Sequence, residues 1–291
     1  MQPVSPVHCR LGEGIIRDAE RGCIWWVDIE GQLLHRSSYD GNHYSSLEFD
    51  QKVSMIALST HHTLLVGLER EIREIDEHGH RIRSTAFEPD CAHTRANDGK
   101  VGPDGALWIG SMSSRMRSGE AALYRLDQDF QLRTVLTGVT VSNGMGWSPD
   151  GTCMYYIDTT TRRIDAFSFD PAGDGMIPQS RHCITAIPPE LGWPDGMAVD
   201  SQGNLWVAMY DGSCITVWDP ADGHLLDRID LPVRRITSLA FGGDALCDLY
   251  ITTAAADSAG EQQDLPLSGR LLHLTAQQPG LPGYLFGRRQ E

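Results

Sequence analysis

A chain of 291 residues is long enough for one large β domain or two ordinary ones, and its 41% apolar content, with aromatics from Trp25 to Tyr284, supplies a sizeable core. Its formal charge of −15 repels nucleic-acid phosphates and anionic lipid surfaces, so neither is an expected partner, and a cationic or neutral ligand is easier to hold. Seven scattered cysteines without a CxxC pair, no long apolar run and no leader pattern at Met1–Arg10 read as a soluble, cytoplasmic protein with reduced thiols.

In chain order, one unit recurs six times: a small or polar residue, a short apolar stretch, a turn rich in Asp and Gly, and an apolar or aromatic β run. Its copies are GEGIIRDAERGCIWWVD from Gly12, SMIALSTHHTLLVG from Ser54, NDGKVGPDGALWIGS from Asn97, NGMGWSPDGTCMYYID from Asn143, DGMAVDSQGNLWVAM from Asp195 and SLAFGGDALCDLYIT from Ser238. The anchors Glu13, Ser54, Asn97, Asn143, Asp195 and Ser238 stand 41 to 52 residues apart, the period of a four-stranded propeller blade.

Within the third copy, Gly99–Gly102 leads into the Pro103-Asp104-Gly105 turn, Ala106–Met112 returns, and Ala121–Asp127 and Leu132–Thr137 complete a meander. Helical periodicity is nearly absent, so the expected fold is all-β: one six-bladed β-propeller of four-stranded antiparallel blades over residues 1–291. The sixth copy shows only Leu249–Ala254 and Arg270–Thr275, while Val7–Leu11 has no blade of its own. This N-terminal segment is expected to close the last blade and remove an exposed edge.

The inner strand of each blade lines a common axial channel, so equivalent repeat positions form a ring at one depth. That ring holds two carboxylates, two carboxamides and two hydroxyls, all oxygen donors. Hard divalent cations favour such donors, and two close carboxylates repel unless a cation or shared proton intervenes. The expected centre is therefore one divalent metal ion (Ca, Zn, Mn or Mg) with Glu13, Asn143 and Asp195 as protein ligands. Asp-Gly and Asn-Gly pairs are also common turn formers, and only convergence on the channel sets these apart.

Loops after each second strand return to the metal end: Ser113–Glu120, Thr159–Arg162, Asp211–Ser213 and Ala255–Gly269. Arg115 and Arg117 on the first of these are either substrate contacts or solvated charges. The His61-His62 and Glu77–His80 clusters have metal-ligand spacings but fall at hairpin tips remote from the channel, where solvated turns are expected. No GxSxG elbow, P-loop or dinucleotide fingerprint occurs, and the lone Trp218-Asp219 pair does not make a WD-repeat scaffold.

These segments resemble the senescence marker protein/gluconolactonase family, the regucalcin-like proteins, along essentially the whole chain. The likeness rests on LGEG at Leu11–Gly14, TRANDGKVGPDGALWIGSM at Thr94–Met112, VSNGMGWSPDG at Val141–Gly151, PDGMAVDSQGNLWVAMYDG at Pro194–Gly212 and TSLAFGG at Thr237–Gly243. It implies a six-bladed propeller with a calcium- or zinc-type site on Glu13, Asn143 and Asp195. It further implies that Arg95 and Asn97 hold substrate hydroxyls and that Asp195 is the general base. Gly14-Ile15-Ile16 departs from a family pattern with Pro after the first ligand. Animal members carry an acidic residue near the position of Arg115, so their preferred sugar does not transfer.

The expected activity is metal-dependent hydrolysis of a small-molecule sugar lactone to its aldonic acid, with Asp195 or hydroxide on the ion as base and Arg115 as a further substrate contact. A related esterase or phosphotriesterase, marked by preference for apolar esters, and a non-catalytic calcium-binding regulator are the alternatives, because propellers host many functions.

Overall fold

The structure is a computed structural model that describes residues 3–257, 260–261 and 265–287. Its strands form six antiparallel sheets in chain order, as the repeat predicts. Blade 1 comprises β1 (Gly12–Asp18), β2 (Cys23–Asp28), β3 (Leu33–Ser38) and β4 (Tyr44–Glu48), and blade 2 comprises β5 (Val53–Leu58), β6 (Leu64–Leu68), β7 (Glu71–Ile75) and β8 (Arg81–Ala86). Blade 3 follows with β9 (Thr94–Val101), β10 (Leu107–Ser113), β11 (Ala121–Leu126) and β12 (Leu132–Val139). Blade 4 has β13 (Ser142–Trp147), β14 (Cys153–Asp158), β15 (Arg163–Asp170), a two-residue β16 (Gly175–Met176) and β17 (His182–Ala186). Blade 5 has β18 (Trp193–Val199), β19 (Leu205–Tyr210), β20 (Cys214–Trp218) and β21 (Leu225–Asp230), and blade 6 has β22 (Ile236–Gly242), β23 (Asp248–Thr253) and β24 (Leu272–Thr275). Among the described residues no helix is long and apolar enough to cross a membrane.

The longest repeat interval, from Asn143 to Asp195, is explained by blade 4. There β15 pairs with both β16 and β17, and a 3-10 turn at Pro178–Ser180 links them. In blade 3 the inner strand starts at Thr94, earlier than the Gly99 suggested by turn chemistry, because Arg95 and Ala96 pair with Met112 and Ser111 of β10.

The cores lie between blades. Trp25 and Val27 of β2 pack with Ile56 and Val66 of blade 2, and Trp206 of β19 packs with Leu239 and Phe241 of blade 6. Three second strands also bury a tryptophan whose indole N–H donates to the aspartate of the preceding turn. Trp25 reaches Asp18 at 3.2 Å, Trp108 reaches Asp104 at 3.1 Å and Trp206 reaches Asp200 at 3.0 Å. Each bond satisfies a polar atom that burial of the large ring would otherwise orphan.

The ring closes through the N-terminal segment as expected, over a stretch that begins earlier than Val7. Pro3 bridges Leu272 of β24, and the Val4 N–H donates to the Leu271 carbonyl at 2.9 Å. Within Val7–Leu11, Leu11 bridges Ala254, the Cys9 N–H donates to the Gly269 carbonyl at 2.7 Å and the Arg10 carbonyl accepts from the Ala255 N–H at 3.0 Å. The Arg270 guanidinium binds the Pro6 and Val7 carbonyls, and the Asp28 carboxylate accepts the Arg10 and Leu11 N–H groups, so these contacts are isolated and not a continuous ladder.

Candidate active site

Five anchors stand within the first three residues of an inner strand and Asn97 is the fourth of β9, and every inner strand has a register shift there: between Glu13 and Ile16, Val53 and Met55, Asn143 and Met145, Pro194 and Met197, Ile236 and Ser238, and opposite Gly110 in blade 3. A bulge inserts an unpaired residue and re-aims its neighbours. It recurs in all six blades beside the anchors. The residue after three anchors is glycine for a steric reason: a Cβ on Gly196 would lie 2.5 Å from Ser238 Oγ, so the bulges let adjacent inner strands approach closely.

Asp195 neighbours both Glu13 and Asn143, and Asn143 and Asp195 are buried. Burial, then the neighbouring Asp195 and Asp98, pushes the Glu13 carboxyl well above its ordinary value. Burial, then Asp98, does the same to Asp195, while Asn143 and Arg95 oppose the shift. Thr159 orients the Asn143 amide: Nδ2 donates to Thr159 Oγ1 at 3.0 Å, and that hydroxyl donates to the Pro194 carbonyl at 2.9 Å. The amide oxygen is thereby left free to serve as a ligand. Asp195 Oδ1 is buried without a hydrogen-bond partner.

An orphaned carboxylate oxygen beside a second carboxylate and a carboxamide oxygen fits a hard divalent cation, which would satisfy the lone pairs and remove the like-charge repulsion. The two serines contribute less. Ser54 Oγ donates to the Gly67 carbonyl of its own blade at 3.2 Å.

Asn97 and Arg95 sit together beside this group. Arg95 Nη1 donates to Asn97 Oδ1 at 2.9 Å and to the Ala96 carbonyl at 2.8 Å, and Asn97 Nδ2 donates to the Ser142 carbonyl at 2.8 Å. Both Asn97 polar atoms are therefore engaged, and Arg95 keeps Nε and Nη2 for a ligand. Arg115 lies away from them on the β10–β11 loop, its guanidinium paired with Glu120. Arg117 is exposed on the same loop.

Two channel residues escaped the sequence reading. Asp98 raises both Glu13 and Asp195, and burial raises Asp98 itself against the opposing charge of Lys100. Lys100 Nζ donates to the Met197 carbonyl at 2.7 Å and so ties blade 3 to blade 5. The signal was available: after Glu13, Asn143 and Asp195 comes glycine, whereas after Asn97 comes an acid.

The rim is a charge network. Arg235 bonds Asp211 at 3.2 Å and also Asp257, and Arg234 bonds Asp211 at 3.0 Å. Arg162 stacks over Trp193 at 3.5 Å. The sixth-blade loop, residues 255–269, lies partly outside the described residues. His62 and His80 are exposed and pair with Glu20 and Asp76, as solvated turns do. A cavity of about 310 Å³ at the other end of the channel is lined by Ile15, Ile56, Val199 and Phe241, with charged Arg17, Glu20 and Lys100 among its walls and none of the six anchors.

The chain matches the family described as SMP-30/Gluconolactonase/LRE-like region over residues 11–255. It belongs to that family. It is 36% identical to a pentonolactonase of Haloferax volcanii, over 97% of this chain and 96% of that one. It is 34% identical to a 6-deoxy-6-sulfogluconolactonase of Pseudomonas putida, over 95% and 94% respectively. Among solved structures, a luciferin-regenerating enzyme aligns with a TM-score of 0.86 at 28% identity, covering 96% of this chain and 95% of that one.

Proposed function

We propose that this protein hydrolyses a sugar lactone to the open-chain aldonic acid at the anchor end of its channel. The observation that carries the reading is the unpartnered Asp195 Oδ1 beside Glu13 and Asn143. The lactonase names of the relatives in Haloferax volcanii and Pseudomonas putida support the substrate class. A divalent cation held by Glu13, Asn143 and Asp195 would supply Lewis acidity and positive charge beside the reacting ester.

The chain's own groups do the rest. The Arg95 guanidinium, braced through Nη1 by Asn97, orients the sugar hydroxyls with Nε and Nη2, turning a collision into a positioned encounter. Asp195 takes the proton of the attacking water at its carboxylate. The water oxygen bonds the carbonyl carbon, the ring C–O bond breaks, and Asp195 returns the proton it took from water to the departing alkoxide, which becomes a hydroxyl. Thr159 keeps the Asn143 amide from rotating, and Lys100 and Asp98 set the field around Asp195. Arg115, once released from Glu120, is positioned on the rim for an anionic substituent.

The test is an assay against five- and six-carbon aldonolactones with and without a chelator. Turnover abolished by chelation and restored by a divalent ion is expected. Unchanged rates after complete metal removal, or preference for apolar esters over polyhydroxylated lactones, would overturn the proposal.

A further inference from the structure

A second group of metal-ligand residues lies outside the channel, where the N-terminal segment crosses blade 1. Cys9 Sγ, a carboxylate oxygen of Asp28 on β2 and a ring nitrogen of His35 on β3 all lie within 4.8 Å of one another. All three residues are buried, at 2%, 4% and 1% exposure. Among the described residues this is the one group of three or more His, Cys, Asp or Glu side chains gathered so closely.

Each donor has its remaining valence accounted for. His35 Nδ1 is taken by the Tyr44 hydroxyl at 2.8 Å, while Nε2 is buried with no hydrogen-bond partner. Asp28 Oδ1 accepts from Leu11 and Gly31, and Oδ2 accepts from Arg10, which leaves one lone pair on Oδ2. Cys9 Sγ accepts the Trp26 indole N–H at 3.4 Å.

The backbone role of Asp28 needs neither Cys9 nor His35. Asp158 of blade 4 makes the equivalent bonds to Thr140 and Val141 without such neighbours. The additional thiol and imidazole on Asp28 are what blade 4 lacks.

We propose that Cys9, Asp28 and His35 bind a divalent ion of the zinc class that pins the N-terminal segment to blade 1. Sulfur and imidazole donors select a borderline ion such as zinc over calcium or magnesium, and thiolate plus carboxylate balance its charge. The Tyr44 hydroxyl accepts from Nδ1–H and holds the ligating ring by its other nitrogen, the place a carboxylate or carbonyl more often takes. Burial keeps the His35 ring neutral, its value lowered to about 4, as a ligand must be. Binding releases the Cys9 proton to solvent. The site is structural: its three donors are buried, it sits at the seam where blade 6 meets blade 1, and Cys9 N–H donates across that seam to the Gly269 carbonyl at 2.7 Å.

The test uses the full chain carrying E13Q and D195N, so that a channel ion cannot contribute, with exposed thiols alkylated in the native state. Metal-stripped protein is titrated with Co²⁺ and then Zn²⁺. One equivalent of Co²⁺ with a near-ultraviolet sulfur-to-cobalt band, displaced by Zn²⁺, is expected, and both band and equivalent should vanish in C9S and in H35Q. Absence of the band, or its persistence in C9S or H35Q, overturns the site. Should C9S fail to fold, the parent spectrum and H35Q decide. The outcome is independent of lactone turnover, so failure here and failure of the catalytic reading are separable.

Discussion

The backbone carbonyl of Asp195 lies 2.4 Å from the point where a Cβ on Gly144 would stand. That approach brings the inner strands of blades 4 and 5 together at the level of Asn143 and Asp195. Gly144→Ala must therefore push the two strands apart, at a cost of about 1–3 kcal/mol from overpacking. Denaturant unfolding measures that loss. Divalent-ion affinity is expected to fall with it, because the ligands ride on the strands that move.

Asp195 and Asp98 are predicted to separate catalysis from field. Asp195→Ala removes the proposed proton acceptor and should lower kcat by about 10²–10⁴-fold with circular dichroism unchanged. Asp98→Asn removes a negative charge that raises both Glu13 and Asp195, so it should weaken cation binding while turnover persists at saturating metal. A fully active Asp195→Ala protein would remove that residue from the mechanism.

The metal-free protein should lose stability as pH rises. Glu13 and Asp195 are held well above their ordinary values of 4.5 and 3.8, so the folded chain keeps protons that the unfolded chain has already released. Their stabilising contribution is complete below those ordinary values and drains away as pH climbs toward the raised ones. Thermal melts in chelator from about pH 5 to about pH 8 should show this decline, flattened in Glu13→Gln. A divalent ion should reverse it by favouring the ionised carboxylates.

Arg115 supplies a selectivity test. If its guanidinium leaves Glu120 to meet an anionic substituent, Arg115→Ala should raise KM about tenfold for an acidic lactone and leave a neutral one nearly unchanged. Equal losses on both substrates would point to a general disturbance of the β10–β11 loop. Arg95→Met, by contrast, should impair both, because Arg95 sits beside the ring and not on the rim.

The repeat spacing and the polar anchors were legible from the chain itself, because a propeller's inner strands place equivalent positions at one depth whatever the loops do. From them followed the six blades and the expectation that Glu13, Asn143 and Asp195 meet on one channel. Local pattern carries no register, however. Only the folded chain shows that a bulge accompanies each anchor and that Thr159 turns the Asn143 amide. It likewise extended the closing contact back to Pro3 and Val4, and it left Val7–Leu11 as isolated backbone contacts because side chains of Arg270 and Asp28 take several of the groups a ladder would need. The Cys9, Asp28 and His35 cluster was equally hidden, since its members share no spacing and meet only where the end of the ring returns to its beginning. Periodicity thus determined which residues face the axis, and three-dimensional packing decided which of their polar atoms are left without partners.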